Sequence, residues 1–161
     1  MKKIVKLLEK VQLSIGVIML SIFFLAVIIQ VATRYLGVSV IWTGEVANYS
    51  FIWSIFMGTA VMINRKEHFK FDLLYKKLTG KMRSSLSIFN DSILFLFSLA
   101  ILFYGVAATD NFWNYNWVSL PFMKMGYVWL SVPVMGLTMM IYLASHIIYD
   151  MKGFNREEAN K

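Results

Sequence analysis

Hydrophobic residues are gathered in long blocks separated by short polar segments. No charged residue occurs in 11–33, 46–64, 92–109 or 125–149. Because a helix rises about 1.5 Å per residue, about 20 apolar residues cross the hydrocarbon core of a bilayer. The third block is short, so its helix is expected to begin near Ser84 and to include Asp91. The pattern predicts an all-α integral membrane protein, with four transmembrane helices over about 11–33, 45–64, 84–109 and 125–149.

The first block could also be a secretory signal, because basic residues precede it. It is longer than the 7 to 15 apolar residues usual for such signals, and no small-residue cleavage site follows it. We therefore expect a retained first helix. No internal repeat or Pro- or Gly-rich linker divides the chain, so residues 1–161 are expected to form one domain.

The positions of Lys and Arg predict the orientation of the four helices. All but two of the 16 Lys and Arg residues lie in the N-terminal segment, the second loop or the C-terminal tail. The exceptions are Arg34 and Lys124, in the first and third loops. Cytoplasmic loops are enriched in Lys and Arg, so we expect both termini in the cytoplasm. Tryptophan favours membrane boundaries, and four of the five lie at the predicted outer boundary: Trp42, Trp113, Trp117 and Trp129.

The second loop carries a helical pattern of its own. Apolar residues recur at helical spacing on one face: Phe71, Leu74, Tyr75, Leu78 and Met82. This predicts an amphipathic interfacial helix over about 68–80, with Gly80 as its stop signal. Leu73 points to the polar side. Two interpretations remain open: the helix is held by acyl chains and headgroups of membrane lipids, or Leu73 and the helix flank contact a partner protein.

Composition and charge exclude several classes of function. Apolar residues make up 58% of the chain, charged residues 16%, and cysteine is absent, which excludes thiolate metal sites and thiol nucleophiles. The net charge of +7 lies between apolar blocks rather than on a basic face, so no nucleic-acid partner is expected. The two histidines, His68 and His146, are poorly placed to ligate a haem. Asp91 and Asp110 fall at opposite ends of one helix and cannot form a catalytic pair. We expect no enzyme activity and no cofactor.

Independent transport also lacks the expected parts. Coupled carriers usually hold ionisable groups at mid-membrane depth, whereas the polar residues here lie near the helix ends. The pattern therefore favours a membrane subunit that serves a larger assembly. The alternative is a stand-alone four-helix protein, either a small carrier or a redox membrane anchor.

Several residues, in order and spacing, resemble the small permease subunit of tripartite ATP-independent periplasmic (TRAP) transporters. The resemblance covers nearly the whole chain and rests on Arg34-Tyr35, Trp42, Glu45, Gly58, His68, Asp72, Pro121 and Pro133. One departure is Gly44, where the family often has a second polar or acidic residue, and this leaves Glu45 as the main acidic candidate.

The resemblance implies a sodium-driven system that imports organic acids across the bacterial inner membrane. In such a system a periplasmic binding protein captures the substrate, and a large permease subunit moves it together with sodium. The small subunit braces the large one and offers part of the docking surface. The substrate would be set by the other two components, with sialic acid or C4-dicarboxylates as expectations.

The candidate interface or structural residues are Arg34, Trp42, Glu45, His68, Asp72, Leu73 and Asp91. Arg34 and Glu45 bound the first loop and could pair with each other, stay solvated, or bridge to another subunit. Asp91 could pair with a basic residue of the second loop or with a partner helix. The four-residue spacing of His68 and Asp72 permits a hydrogen bond that fixes the start of the interfacial helix.

Overall fold

The protein is all-helical in the part of the chain that the structure describes. The computed structural model describes the backbone of residues 2–65 and 81–159, and the side chains of residues 3–65, 82 and 84–151. The helices are α1 (Lys2–Tyr35), α2 (Trp42–Asn64), α3 (Lys81–Phe112), the short α4 (Gly126–Trp129) and α5 (Ser131–Ala159). Four stretches are long and apolar enough to cross a membrane: Lys3–Tyr35, Trp42–Asn64, Ser84–Phe112 and Gly126–Met151. The prediction of four such helices is confirmed.

The four long helices form two antiparallel helical hairpins, α1 with α2 and α3 with α5. The hairpins join through contacts between α2 and α5, whereas α1 touches α5 only slightly. The helices therefore stand in the order α1, α2, α5, α3. Only α2 and α5 have long neighbours on two sides, so α1 and α3 leave most of their side chains outside the bundle. A buried apolar cluster lies where α2 meets α5: Ala60, Ile63, Met135, Met139, Tyr142 and Leu143.

Close contact between α3 and α5 depends on two glycines. A methyl group at Gly136 would lie 2.9 Å from the backbone nitrogen of Leu102, and one at Gly105 would lie 3.0 Å from the backbone nitrogen of Pro133. Small residues let transmembrane helices approach until their backbones nearly touch. These glycines therefore define the seam of the second helical hairpin.

The two helical hairpins are offset along their helix axes. The short α4, which leads into α5, lies beside the middle of α2: Trp53 Nε1 donates a 3.0 Å hydrogen bond to the carbonyl of Tyr127. The end of α3 lies at the same level, since Gly126 packs against Trp113. At about 1.5 Å per residue, the start of α2 then extends on the order of 10 Å beyond the end of α3. We call this end of the molecule, with residues 36–41 and 113–125, the loop end, and the opposite end the terminus end.

The step between the two helical hairpins is filled by the loop that follows α3. This loop folds back on itself: the Trp117 amide donates to the Met123 carbonyl at 2.9 Å, and the Met125 amide to the Tyr115 carbonyl at 2.7 Å. Residues 115–125, which fold back in this way, are called the loop hairpin below. It runs alongside the first turns of α2, where its free backbone groups need partners.

Candidate subunit-interaction site

Glu45 fastens the loop hairpin to α2. It lies in the first turn of α2, and its two carboxylate oxygens accept hydrogen bonds from the backbone amides of Val118 and Ser119, each at 2.8 Å. Each oxygen serves one amide, so the carboxylate binds two consecutive residues at the turn. Hydrogen bonds to an ionised acceptor are roughly twice as strong as neutral ones.

A tilted aromatic contact supports the same attachment one helical turn further along. The rings of Tyr49 and Trp117 lie 4.5 Å apart, and Trp117 is buried. Irregular backbone close to a membrane must find internal hydrogen-bond partners. Glu45 supplies two of them, while Trp117 supplies buried apolar area. The acid is therefore a positioning residue that fixes where the loop hairpin stands.

Arg34 lies on the same end of the molecule, in the last turn of α1. Its side chain is exposed and lines an open cleft of about 540 Å³ together with Gln30 and Ser39. Within the described residues no ion pair joins Arg34 to Glu45, whose carboxylate faces the loop hairpin instead. Trp42, the first residue of α2, is 40% exposed. The loop end thus presents a cation that is open to an anionic group from outside the chain.

Large apolar side chains surround these residues and are left uncovered by the described part of the chain. Tyr35 is 89% exposed and Ile41 is 76% exposed in the first loop, while Val118 and Phe122 of the loop hairpin are 88% and 78% exposed. Exposed apolar groups beside arginine and aromatic residues are typical of protein interfaces. The loop end is therefore a candidate surface for contact with another protein.

Asp91 lies near the terminus end, between α3 and α5. It is only 2% exposed, and one of its oxygens lies 4.0 Å from Nδ1 of His146 on α5. Nearby, the Ser87 hydroxyl donates a 2.7 Å hydrogen bond to Asp150. These contacts join the beginning of α3 to the late turns of α5. The remaining sequence candidates, His68, Asp72 and Leu73, and the predicted interfacial helix over about 68–80 lie outside the described residues.

A buried cluster of polar side chains inside the bundle, called the polar node, was not predicted from the sequence. Gln12 of α1 is 2% exposed, donates to the Thr138 hydroxyl at 2.8 Å, and accepts from the Tyr142 hydroxyl at 2.5 Å. The node joins α1 to α5, which otherwise barely meet. Two signals could have found it: an amide inside an apolar block, and two hydroxyl residues four positions apart on one face of the last block.

A second missed link ties the start of α1 to the end of α2. Glu9 accepts a 2.8 Å hydrogen bond from the Asn64 amide, and its other oxygen lies 2.7 Å from Nε of Arg65. The signal was an acid near the start of the first block and a basic residue directly after the second. In both missed sites the polar groups are bonded to one another. Within the described residues, no group of three His, Cys, Asp or Glu side chains could hold a metal ion.

Comparison with known proteins gives one family. The family described as tripartite ATP-independent periplasmic transporters, DctQ component, matches residues 23–153. The match begins within α1, includes the loop hairpin and Glu45, and ends within α5. No curated protein matches the chain.

Proposed function

The chain belongs to the family of DctQ components of tripartite ATP-independent periplasmic transporters, and from this membership we propose that it braces the large permease subunit and helps to dock the binding protein. As a DctQ component it is the small membrane subunit of such a transporter, which is not an enzyme family. Its partners follow from the tripartite system: a large permease subunit and a periplasmic binding protein.

The match over residues 23–153 is the observation that carries this proposal. The packing supports the bracing role. The helices stand as an open array in which α1 and α3 expose long apolar faces, and the buried polar groups Gln12, Thr138 and Tyr142 are bonded to each other. A brace needs apolar faces for its partner and internal polar contacts that keep its own helices in register.

The loop end is the proposed docking surface for the binding protein. Its exposed apolar residues and Arg34 project on the order of 10 Å beyond the end of α3. Glu45 holds the loop hairpin in place for this contact. Arg34 is proposed to pair with a carboxylate of a partner subunit, which is the cross-subunit alternative raised by the sequence.

We further propose that the protein lies in the bacterial inner membrane with both termini in the cytoplasm. The bias of Lys and Arg toward the two termini and the second loop supports this orientation. The amphipathic pattern over about 68–80 would then lie on the cytoplasmic surface, against lipids or a partner. Because the chain has no cysteine, single cysteines can be placed at Ser39 and in the second loop. A membrane-impermeant maleimide added to intact spheroplasts should label the first and spare the second; the reverse pattern would reject the orientation.

Sodium coupling and the substrate class are proposed from the family resemblance alone. The transported compound is expected to be an organic acid, with sialic acid as the first choice and C4-dicarboxylates as the second. Neither the ion nor the substrate is expected to bind this subunit. Isothermal titration of the purified chain with these acids should give no saturable heat, whereas micromolar binding to this chain alone would contradict the assignment.

The bracing role is tested by co-purification. The affinity-tagged chain, expressed with the large subunit from the same transporter, should retain that subunit at one-to-one stoichiometry through size-exclusion chromatography in detergent. A tagged, unrelated four-helix membrane protein serves as the control. Elution of the two subunits as separate species, each still monodisperse, would refute the proposal.

A further inference from the structure

The face of α3 that points away from α5 differs from the other exposed helix faces. It carries three large aromatic side chains, Phe97 at 59% exposure and Phe103 and Tyr104 at 71% each. Two exposed alanines, Ala100 and Ala107, lie on the same face. We call these five residues the α3 lateral face. On the opposite side of the helix, Gly105 packs against α5, so the lateral face is not needed for the fold of the chain.

Tyr104 places a hydroxyl group deep in the apolar part of this face. The stretch 92–109 has no charge, and Tyr104 lies five residues before its end, or about 8 Å along the helix. Helical side chains lean toward the N-terminus of their helix, so the ring is directed away from the loop end and farther into the span. Within the described residues, the Tyr104 hydroxyl has no hydrogen-bond partner. A lone hydroxyl in hydrocarbon is unfavourable, so this group calls for an acceptor from outside the chain.

The exposed face of α1 provides a comparison within the same protein. Its exposed serines satisfy themselves: the Ser14 hydroxyl donates to the Lys10 carbonyl and the Ser21 hydroxyl to the Val17 carbonyl, each at 2.9 Å. The neighbouring large side chains, such as Phe24, are purely apolar. The hydroxyls of Ser14 and Ser21 therefore need no acceptor from outside the chain, in contrast to the hydroxyl of Tyr104.

The spacing of the small residues fits a helix as the missing partner. Ala100 and Ala107 are seven residues apart, which places them two helical turns from each other on one side of α3. Small residues on one side of a helix let another helix approach closely, and Phe103 and Tyr104 project between these two alanines. Just beyond this face, the exposed Asp110 adds a carboxylate near the membrane boundary.

We propose that the α3 lateral face seats a transmembrane helix of the large permease subunit, and that this helix presents a hydrogen-bond acceptor to the Tyr104 hydroxyl. The inference rests on the proposed bracing function and deepens it, since it names the face through which the small subunit holds its partner. The face of α1 is then left to lipid.

Photo-crosslinking in the assembled complex tests the assignment. A photoreactive phenylalanine analogue is placed at Phe103 on the α3 lateral face, at Phe24 on α1 as the matched aromatic control, and at Ile55 on the free face of α2. Irradiation of membranes that contain both subunits should join the large subunit to the Phe103 probe and not to the Phe24 probe. Capture of the large subunit from Phe24 or Ile55, with none from Phe103, would overturn the inference but leave the bracing role intact. Failure of all three probes together with failed co-purification would refute the bracing role itself.

Two substitutions test the chemistry of the face. Tyr104→Phe removes only the hydroxyl, and the loss of one interhelical hydrogen bond should weaken subunit association about threefold. Ala100→Phe should abolish co-purification, because a ring fills the space that the partner helix needs, whereas Ser21→Phe on α1 should not. Each variant is first checked as a monodisperse protein in detergent, so that a folding defect is seen separately. Normal association in both Tyr104→Phe and Ala100→Phe would rule the α3 lateral face out.

Discussion

Replacing Glu45 by alanine should release the loop hairpin from α2. The carboxylate holds the amides of Val118 and Ser119 at 2.8 Å each. A hydrogen bond to a charged group contributes about 1.5–3 kcal/mol, so two of them set an upper limit of about 3–6 kcal/mol. Val118 is 88% exposed, so its amide can be rehydrated once it is released. We therefore expect a loss at or just below the lower end of that range, about 2–3 kcal/mol.

Hydrogen exchange of those two amides measures the effect directly. A loss of 2–3 kcal/mol in local stability corresponds to exchange about 30- to 150-fold faster at Val118 and Ser119. Glu45→Gln should fall between wild type and alanine, because a side-chain amide has a single oxygen with which to accept. Glu9→Ala is the matched control, since it removes an acid from the terminus end and should leave the loop hairpin amides unchanged. Unaltered exchange at both amides in Glu45→Ala would refute the positioning role.

Three further outcomes follow from the packing. Gln12→Leu removes the acceptor of the buried Tyr142 hydroxyl, whereas Thr138 keeps its bonds to the Val134 and Met135 carbonyls, so the unfolding free energy in detergent should fall by about 1–3 kcal/mol. Ser14→Ala, whose hydroxyl bonds only its own helix, should match wild type. Gly136→Leu forces a side chain to within 2.9 Å of the Leu102 backbone and should cost about 3 kcal/mol of stability or prevent folding. In the isolated chain, Gly58→Leu places its side chain in open space and should be tolerated. Equal thermal stability of the two variants would argue against the glycine seam. Arg65→Ala should lower stability by less than 1 kcal/mol, because Arg65 is 45% exposed where it meets Glu9, and a larger loss by thermal unfolding would contradict the solvated geometry.

The spans could be predicted from the sequence because their determinant is local. In an uncharged run such as 125–149, the backbone N–H and C=O groups bond within the same helix, whichever helices lie beside it. For the same reason, the sequence of a span does not show which helices it packs against. Gly105 and Gly136 are far apart in the chain and match no short spacing rule. Only the structure shows that both lie where α3 packs against α5.

Glu45 shows how far a single residue can be interpreted from sequence. Its position at the end of the first loop predicted a boundary residue, and three alternatives were left open: a pair with Arg34, a solvated side chain, or a bridge to another subunit. The amides of Val118 and Ser119 were not among these alternatives, because backbone amides carry no sequence signature. Pro121 indicates a turn, and the Met123 amide does donate to the Leu120 carbonyl around it, but a turn residue does not show which side chain the loop will contact. Buried pairs such as Gln12 with Tyr142 pose the same problem, since their separation of 130 residues is set by tertiary packing.

As the small subunit, this chain is proposed to support a transporter and not to transport by itself. Proteoliposomes with the large subunit, this chain, the binding protein and an inward sodium gradient should accumulate a labelled organic acid that the binding protein recognises. Vesicles with this chain alone, or with the chain omitted, should accumulate none above background. Sodium-dependent accumulation by this chain alone would contradict the account, as would full uptake by the large subunit and binding protein without it.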